Sequence, residues 1–247
     1  VTDERAAPSP RADLEAAVAA APGRELGSGY QASVRLHETP SGAVVVKTPH
    51  GGALGFLWRY LLRREGNVYA RVAGIPGIPR CFGLLHGRAL ALEYVAGPSL
   101  REHEAHIADR DAFFAKLLAT VRALHAAGVT HGDLKRKDNI IVGPREQPFL
   151  IDFGIACRRS ATSGLWNRLA FARIAQMDLN AWVKLKYGRR IDPDTEPDVL
   201  SAADAAIYRP LLLERVARAV RVPWQAITLR RPRQRWRARR EAKRDRT

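Results

Sequence analysis

Asp133, Lys135, Asn139 and Asp152 lie within about twenty residues of one another, in Val129-Thr130-His131-Gly132-Asp133-Leu134-Lys135, Asp138-Asn139 and Ile151-Asp152-Phe153-Gly154. They supply two carboxylates, an amide and a cation. Phosphoryl transfer from ATP needs these groups at close range: one carboxylate to orient a hydroxyl nucleophile, a carboxylate and an amide oxygen to hold Mg²⁺, and a cation to offset the moving charge. The reading makes Asp133 and Lys135 the catalytic pair and Asn139 and Asp152 the metal ligands. Asp138 is a competing oxygen donor beside Asn139. Asn139 is preferred because the apolar run Ile140-Ile141-Val142 resumes directly after it.

Upstream residues could hold the nucleotide. Gly27-Ser28-Gly29-Tyr30 precedes a strand-like run, and Gly27 and Gly29 would let backbone N–H groups approach phosphate oxygens. Lys47 ends Val44-Val45-Val46-Lys47, and Glu65 on the next helical segment is its expected carboxylate partner. Otherwise Glu65 is one more charge on a solvated helix face. Asp178 either buttresses the loop at Asp133 from beneath or sits exposed on its helix.

Stepping outward, the pattern predicts elements in a definite order. Residues 33–38 and 43–48 read as strands around the turn Thr39-Pro40-Ser41-Gly42. Residues 57–72 read as a helix with a Leu61, Leu62, Val68 and Val72 stripe, 81–86 and 88–94 as strands joined at Gly87, and 111–127 as a helix ended by Gly128. A further helix is expected over 165–187. The resulting fold class is α+β. Residues 1–23 are expected to be a loose leader with a short helical stretch at 13–20.

Taken together, these segments resemble the protein-kinase superfamily over about residues 24–190. The resemblance implies a bilobal protein-kinase-like fold with a small β-rich N-lobe (24–95), a truncated helical C-lobe (96–222) and a basic tail (223–247). It also implies ATP and Mg²⁺ in the cleft, with Glu93 and Val95 in the hinge contributing to the nucleotide site. Gly132 replaces the usual arginine before the catalytic Asp, and Asn139 follows Asp133 one position later than usual. No Ala-Pro-Glu follows Asp152-Phe153-Gly154. These departures resemble minimal bacterial kinases of the lipopolysaccharide (Kdo or heptose) group, with atypical kinases of the RIO and Bud32 type as second choice. The expected activity is transfer of the γ-phosphoryl group of ATP to an alcohol, foremost a lipopolysaccharide-core-type sugar. An atypical Ser/Thr protein kinase and a non-catalytic nucleotide-binding scaffold are the alternatives.

The formal charge is +16, and residues 230–247 hold ten Arg or Lys against Glu241 and Asp245, half of that total. Such a block attracts polyanions, so an anionic membrane surface or RNA is the expected partner of the tail, the alternative being a solvated, frayed tail that only keeps the protein soluble. Trp224 and Trp236 fit either. The segment Phe56-Leu57-Trp58-Arg59-Tyr60-Leu61-Leu62-Arg63-Arg64 reads either as an interfacial helix or as one packed on the small lobe. The polar start Val1-Thr2-Asp3-Glu4-Arg5 lacks the order of a secretory signal, and Cys81 and Cys157 make no disulfide framework. A cytoplasmic location, peripheral at the inner membrane face, is expected.

Overall fold

Aliphatic residues alternate with polar ones over residues 32–37, the period-2 pattern of a strand whose two faces meet different surroundings, and residues 43–46 form an apolar, β-branched-rich run. The computed structural model describes residues 10–28, 32–40, 42–160, 162, 164–188 and 200–209. Residues Val1–Ile207 form one unit and Tyr208–Thr247 a second. The first is described below. Its architecture is mixed α+β, with an antiparallel sheet in the N-terminal part and helices after it.

Five strands, β1 (Arg24–Ser28), β2 (Ala32–Thr39), β3 (Gly42–Pro49), β4 (Cys81–Leu85) and β5 (Ala89–Glu93), form an antiparallel sheet in the order β1-β2-β3-β5-β4. Arg35 pairs with Val46 and His37 with Val44, so these four share one face, while Val34 and its partner Lys47 lie on the other. Helix α1 (Pro10–Ala20) covers the first face: Leu14 and Val18 pack with Val44, Val46, Leu85 and Ala91. Part of the expected loose leader is therefore a docked helix from residue 10 onward.

Helix α2 (Gly55–Arg71) covers the second face. It buries Leu62, Glu65, Val68 and Tyr69, and Gly66 sits so close that an added Cβ would lie 3.2 Å from Leu90 Cδ1. Phe56 and Tyr60 on the opposite side remain exposed. The segment expected to be either interfacial or packed is thus packed along one stripe and open along another.

Beyond the sheet come α3 (Leu100–His103) and α4 (Arg110–Ala126), the latter opened by Asp109, whose side chain accepts from Ala112 N at 2.9 Å. The hairpin of β6 (Ile140–Gly143) and β7 (Gln147–Leu150) follows, then α5 (Leu165–Lys186) and the short α6 (Ala202–Ile207). Phe113, Phe114, Leu117, Val121 and Leu124 of α4 are buried, and Trp182 of α5 donates from Nε1 to Phe114 O at 2.8 Å. That bond satisfies the buried indole N–H and fixes α5 against α4. No helix among the described residues is long and apolar enough to cross a membrane.

Candidate active site

The loop from His131 to Asn139 connects α4 to β6, and Asp152 follows β7. Because Ile140 pairs with Leu150 and Ile151 N donates to Asn139 O at 3.0 Å, the hairpin sets the end of this loop beside the Asp152 strand. A single 3-10 turn over Lys137–Asn139 absorbs the extra residue between Asp133 and Asn139. Asn139 Nδ2 reaches back to Asp133 O at 3.1 Å and Asp133 Oδ2 at 3.4 Å. Asp138 is turned to Arg101, which grips its two carboxylate oxygens at 2.7 and 2.9 Å. Of the two neighbours, Asn139 lies with Asp133, and Asp138 is spent on a surface pair.

Asp178 of α5 underpins the loop. Its carboxylate accepts from His131 N at 2.7 Å, Gly132 N at 2.9 Å and His125 Nε2 at 3.2 Å, and the residue is 1 % exposed. The buttressing alternative therefore holds over the exposed one. Gly132 has φ +83°, a left-handed conformation, and an added Cβ would press on Ile155 O at 3.2 Å. The backbone turn that presents two N–H groups to Asp178 thus explains a glycine in place of a larger residue.

His131 bridges both halves of the site. Asp133 N donates to its Nδ1 at 3.3 Å, so the ring is read as the tautomer whose Nε2–H donates to Ile151 O at 3.0 Å. Burial pushes its pKa down, against the pull of Asp178 and the other nearby acceptors, so the ring stays neutral. A buried neutral His resists folding at low pH: the unfolded chain binds a proton near pH 6.5 that the native chain refuses. Its share of stability is full above pH 6.5 and declines as pH falls toward the lowered native value. Melting temperatures between pH 7.5 and 5 are expected to fall accordingly, and a flat profile would contradict this assignment.

Lys47 Nζ lies 2.6 Å from Glu65 Oε1 and 3.8 Å from Asp152 Oδ1. Burial works to lower the Lys47 pKa, but the carboxylates of Glu65 and Asp152 outweigh it and hold the value above the ordinary one. The ammonium is therefore charged and aimed between helix and strand. Asp152 adopts φ +66°, unusual for a non-glycine residue, and its N–H donates to Tyr69 Oη at 3.3 Å. Burial raises the Tyr69 phenol well above its usual pKa, so it remains a neutral acceptor. Phe153 packs between Tyr69 and His131, with both ring centroids 5.0 Å away. Strain at Asp152 is thus held by packing directly beneath it.

Lys47, Glu65, Asp133 and Asp152 line one cavity of about 350 Å³, together with Arg136 and Ile155. Gly27, Glu93 and Val95 do not line it. Gly27 lies in β1, and Glu93 uses its carboxylate to accept from Arg80 N at 2.8 Å. Gly29 lies outside the described residues, as does the basic tail. Lys135 and Arg136 are both exposed, and Arg136 sets Nε 3.8 Å from Asp133 Oδ2. Arg136 thus adds a second cation beside Asp133, next in sequence to Lys135.

Two further residues escaped sequence reasoning. Arg64 donates from Nη1 to Gly154 O at 3.0 Å and from Nη2 to Ala156 O. Arg71 donates to Ala127 O at 2.6 Å and Arg159 O at 3.0 Å. Their spacing of seven sets both on one face of α2, which was the only available signal amid many arginines. They tie the helix bearing Glu65 to the segment following Asp152. Arg64→Ala is expected to loosen that segment, speeding tryptic cleavage after Arg158 and Arg159 at least about tenfold, since each charged hydrogen bond contributes about 1.5–3 kcal/mol. Cleavage at the wild-type rate would show that the clamp does not hold it.

No protein-family model matches the chain. Over 175 residues it is 27% identical to a bifunctional tRNA threonylcarbamoyladenosine biosynthesis protein of Methanosarcina acetivorans, covering 63% of this chain and 28% of that protein. Over 75 residues it is 41% identical to a protein of Oryza sativa subsp. japonica named cyclin-dependent kinase F-2, covering 27% of this chain and 23% of the relative. The chain spans less than a third of the length of either relative. At this coarse level it is distantly similar to kinase-like proteins.

Proposed function

We propose that the chain is an ATP-dependent phosphotransferase with a bilobal kinase-like fold, in which residues 24–95 form the small lobe and the helical part from residue 96 the second. The observation that carries this reading is the convergence of Lys47, Glu65, Asp133 and Asp152 on one cavity, with Asn139 bonded to Asp133. The donor set fits Mg²⁺, which is commonly held by one or two side-chain oxygens together with phosphate oxygens. Asp152 and the Asn139 amide oxygen would hold it, and Mg·ATP when bound supplies the transferable phosphoryl group and the metal's charge.

The residues divide the remaining work. Lys47, kept charged by Glu65, binds phosphate oxygens. Asp133 orients the acceptor hydroxyl and accepts its proton on a carboxylate oxygen, while Asn139 and the Asp178 brace fix where that oxygen points. Lys135 offsets the charge of the moving phosphoryl group, and Arg136 supplies further positive charge beside Asp133. Gly27 and Gly29 would close over the phosphates, with Glu93 and Val95 at the hinge.

Residues 155–164 alone separate Gly154 from α5, the helix bearing Asp178. So short a connection leaves little backbone on which to lay an extended peptide, which favours a small alcohol acceptor. A sugar hydroxyl of lipopolysaccharide-core type is the first choice, and a protein Ser or Thr the second. Radiolabelled ATP offered with core oligosaccharide and with a generic protein separates them: label on the sugar is expected, and label on protein alone would overturn the acceptor. The same assay tests the reaction itself. Mg·ATP should raise the melting temperature of wild type but not of Asp152→Ala. Nucleotide binding with no labelled acceptor would mean a scaffold.

A further inference from the structure

From residue 155 through 177 the chain contains Arg158, Arg159, Arg168 and Arg173 and no acidic residue. Five of the nine exposed large hydrophobic residues among the described residues also fall there: Ile155, Leu165, Trp166, Leu169 and Met177, with Trp166 85 % exposed. On α5 the two sides differ sharply. Phe171, Asp178, Trp182 and Leu185 are buried along one stripe, while Trp166, Leu169, Arg173 and Met177 follow one another at spacings of three and four along the opposite, exposed stripe.

This segment is firmly placed beside the cavity. Thr130 N donates to Cys157 O at 3.0 Å, Val129 bridges Arg158, and Asn167 Nδ2 donates to Arg158 O at 3.1 Å. Ile155, 61 % exposed, lines the cavity itself. The apolar and basic surface is thus continuous with the mouth of the cavity.

We infer that the N-terminal half of α5, with Ile155, Arg158 and Arg159 before it, docks on an anionic lipid surface. An indole flanked by Leu165, Leu169 and Met177 suits the boundary between headgroups and acyl chains, and arginines beside it meet lipid phosphates. Aliphatic side chains have no stacking use on nucleobases, which argues against single-stranded RNA as the occupant. The inference is independent of the phosphotransferase reading, although it would set the cavity mouth at the bilayer.

The test is sedimentation of the full chain with vesicles of phosphatidylcholine, with and without about one-third phosphatidylglycerol. Wild type is expected to partition onto the anionic vesicles, less so at high salt. Trp166→Ala with Leu169→Ala, and separately Arg168→Glu with Arg173→Glu, should each weaken partitioning at least about tenfold. These side chains are exposed, so melting temperature and Mg·ATP binding should stay at wild-type values. Quenching of fluorescence by brominated lipid should fall in Trp166→Phe. No vesicle binding by wild type would overturn the inference. So would retention of binding within about twofold in both double variants, which would make another segment responsible. Loss of single-stranded RNA binding without loss of vesicle binding would overturn it in favour of nucleic acid.

Discussion

Asp133→Asn is expected to lower phosphoryl transfer about a hundred- to ten-thousandfold, the usual share of a positioned general base, while Mg·ATP binding persists. The Asn substitution suits this site because it keeps the shape that Asn139 Nδ2 approaches at 3.4 Å. It removes the negative charge that would take the acceptor's proton in the proposed reaction, and leaves Lys47, Glu65 and Asp152 untouched. Single-turnover measurements with saturating nucleotide read the chemical step directly. An unchanged rate would remove Asp133 from the chemistry and leave the cavity as a nucleotide-binding site only.

Asp178→Ala is expected to cost about 3–5 kcal/mol of stability, because it strands buried N–H donors of His131 and Gly132 as well as removing a partner of His125. In a domain of this size that corresponds to a drop of roughly 10 °C in melting temperature. Asp178→Asn should fall between, since its amide offers one accepting oxygen where the carboxylate has two. Thermal unfolding followed by circular dichroism checks both. A melting temperature within about 2 °C of wild type for the Ala variant would show that the loop stands without this carboxylate. The variant that still folds should also lose turnover, since Asp133 hangs on the same turn.

Much of the fold was legible from local pattern. The helices at α2, α4 and α5 and the strands β2 to β5 end within a few residues of where apolar periodicity, turn residues and Gly128 put them. The docking of α1 was not, because an Ala-rich, proline-flanked stretch carries little information on whether Leu14 and Val18 find a surface. Lys47 and Glu65 illustrate the same divide. Their types and order were plain, but a helix charge eighteen residues downstream could as well have faced water, and only burial against β3 brings the carboxylate to 2.6 Å.

The candidate reacting groups, Asp133, Asn139 and Asp152, were singled out by residue type and spacing, since chemistry at close range is written locally along the chain. Their arrangement came from contacts between distant segments. Arg101 holds Asp138 in a surface pair, Arg136 sets a second cation beside Asp133, and Asp178 reaches back forty-six residues to brace Gly132. Such choices depend on which side chains are desolvated together. Hydrogen-bond geometry and burial in the folded chain decide that, and neither is encoded in the spacing of a motif.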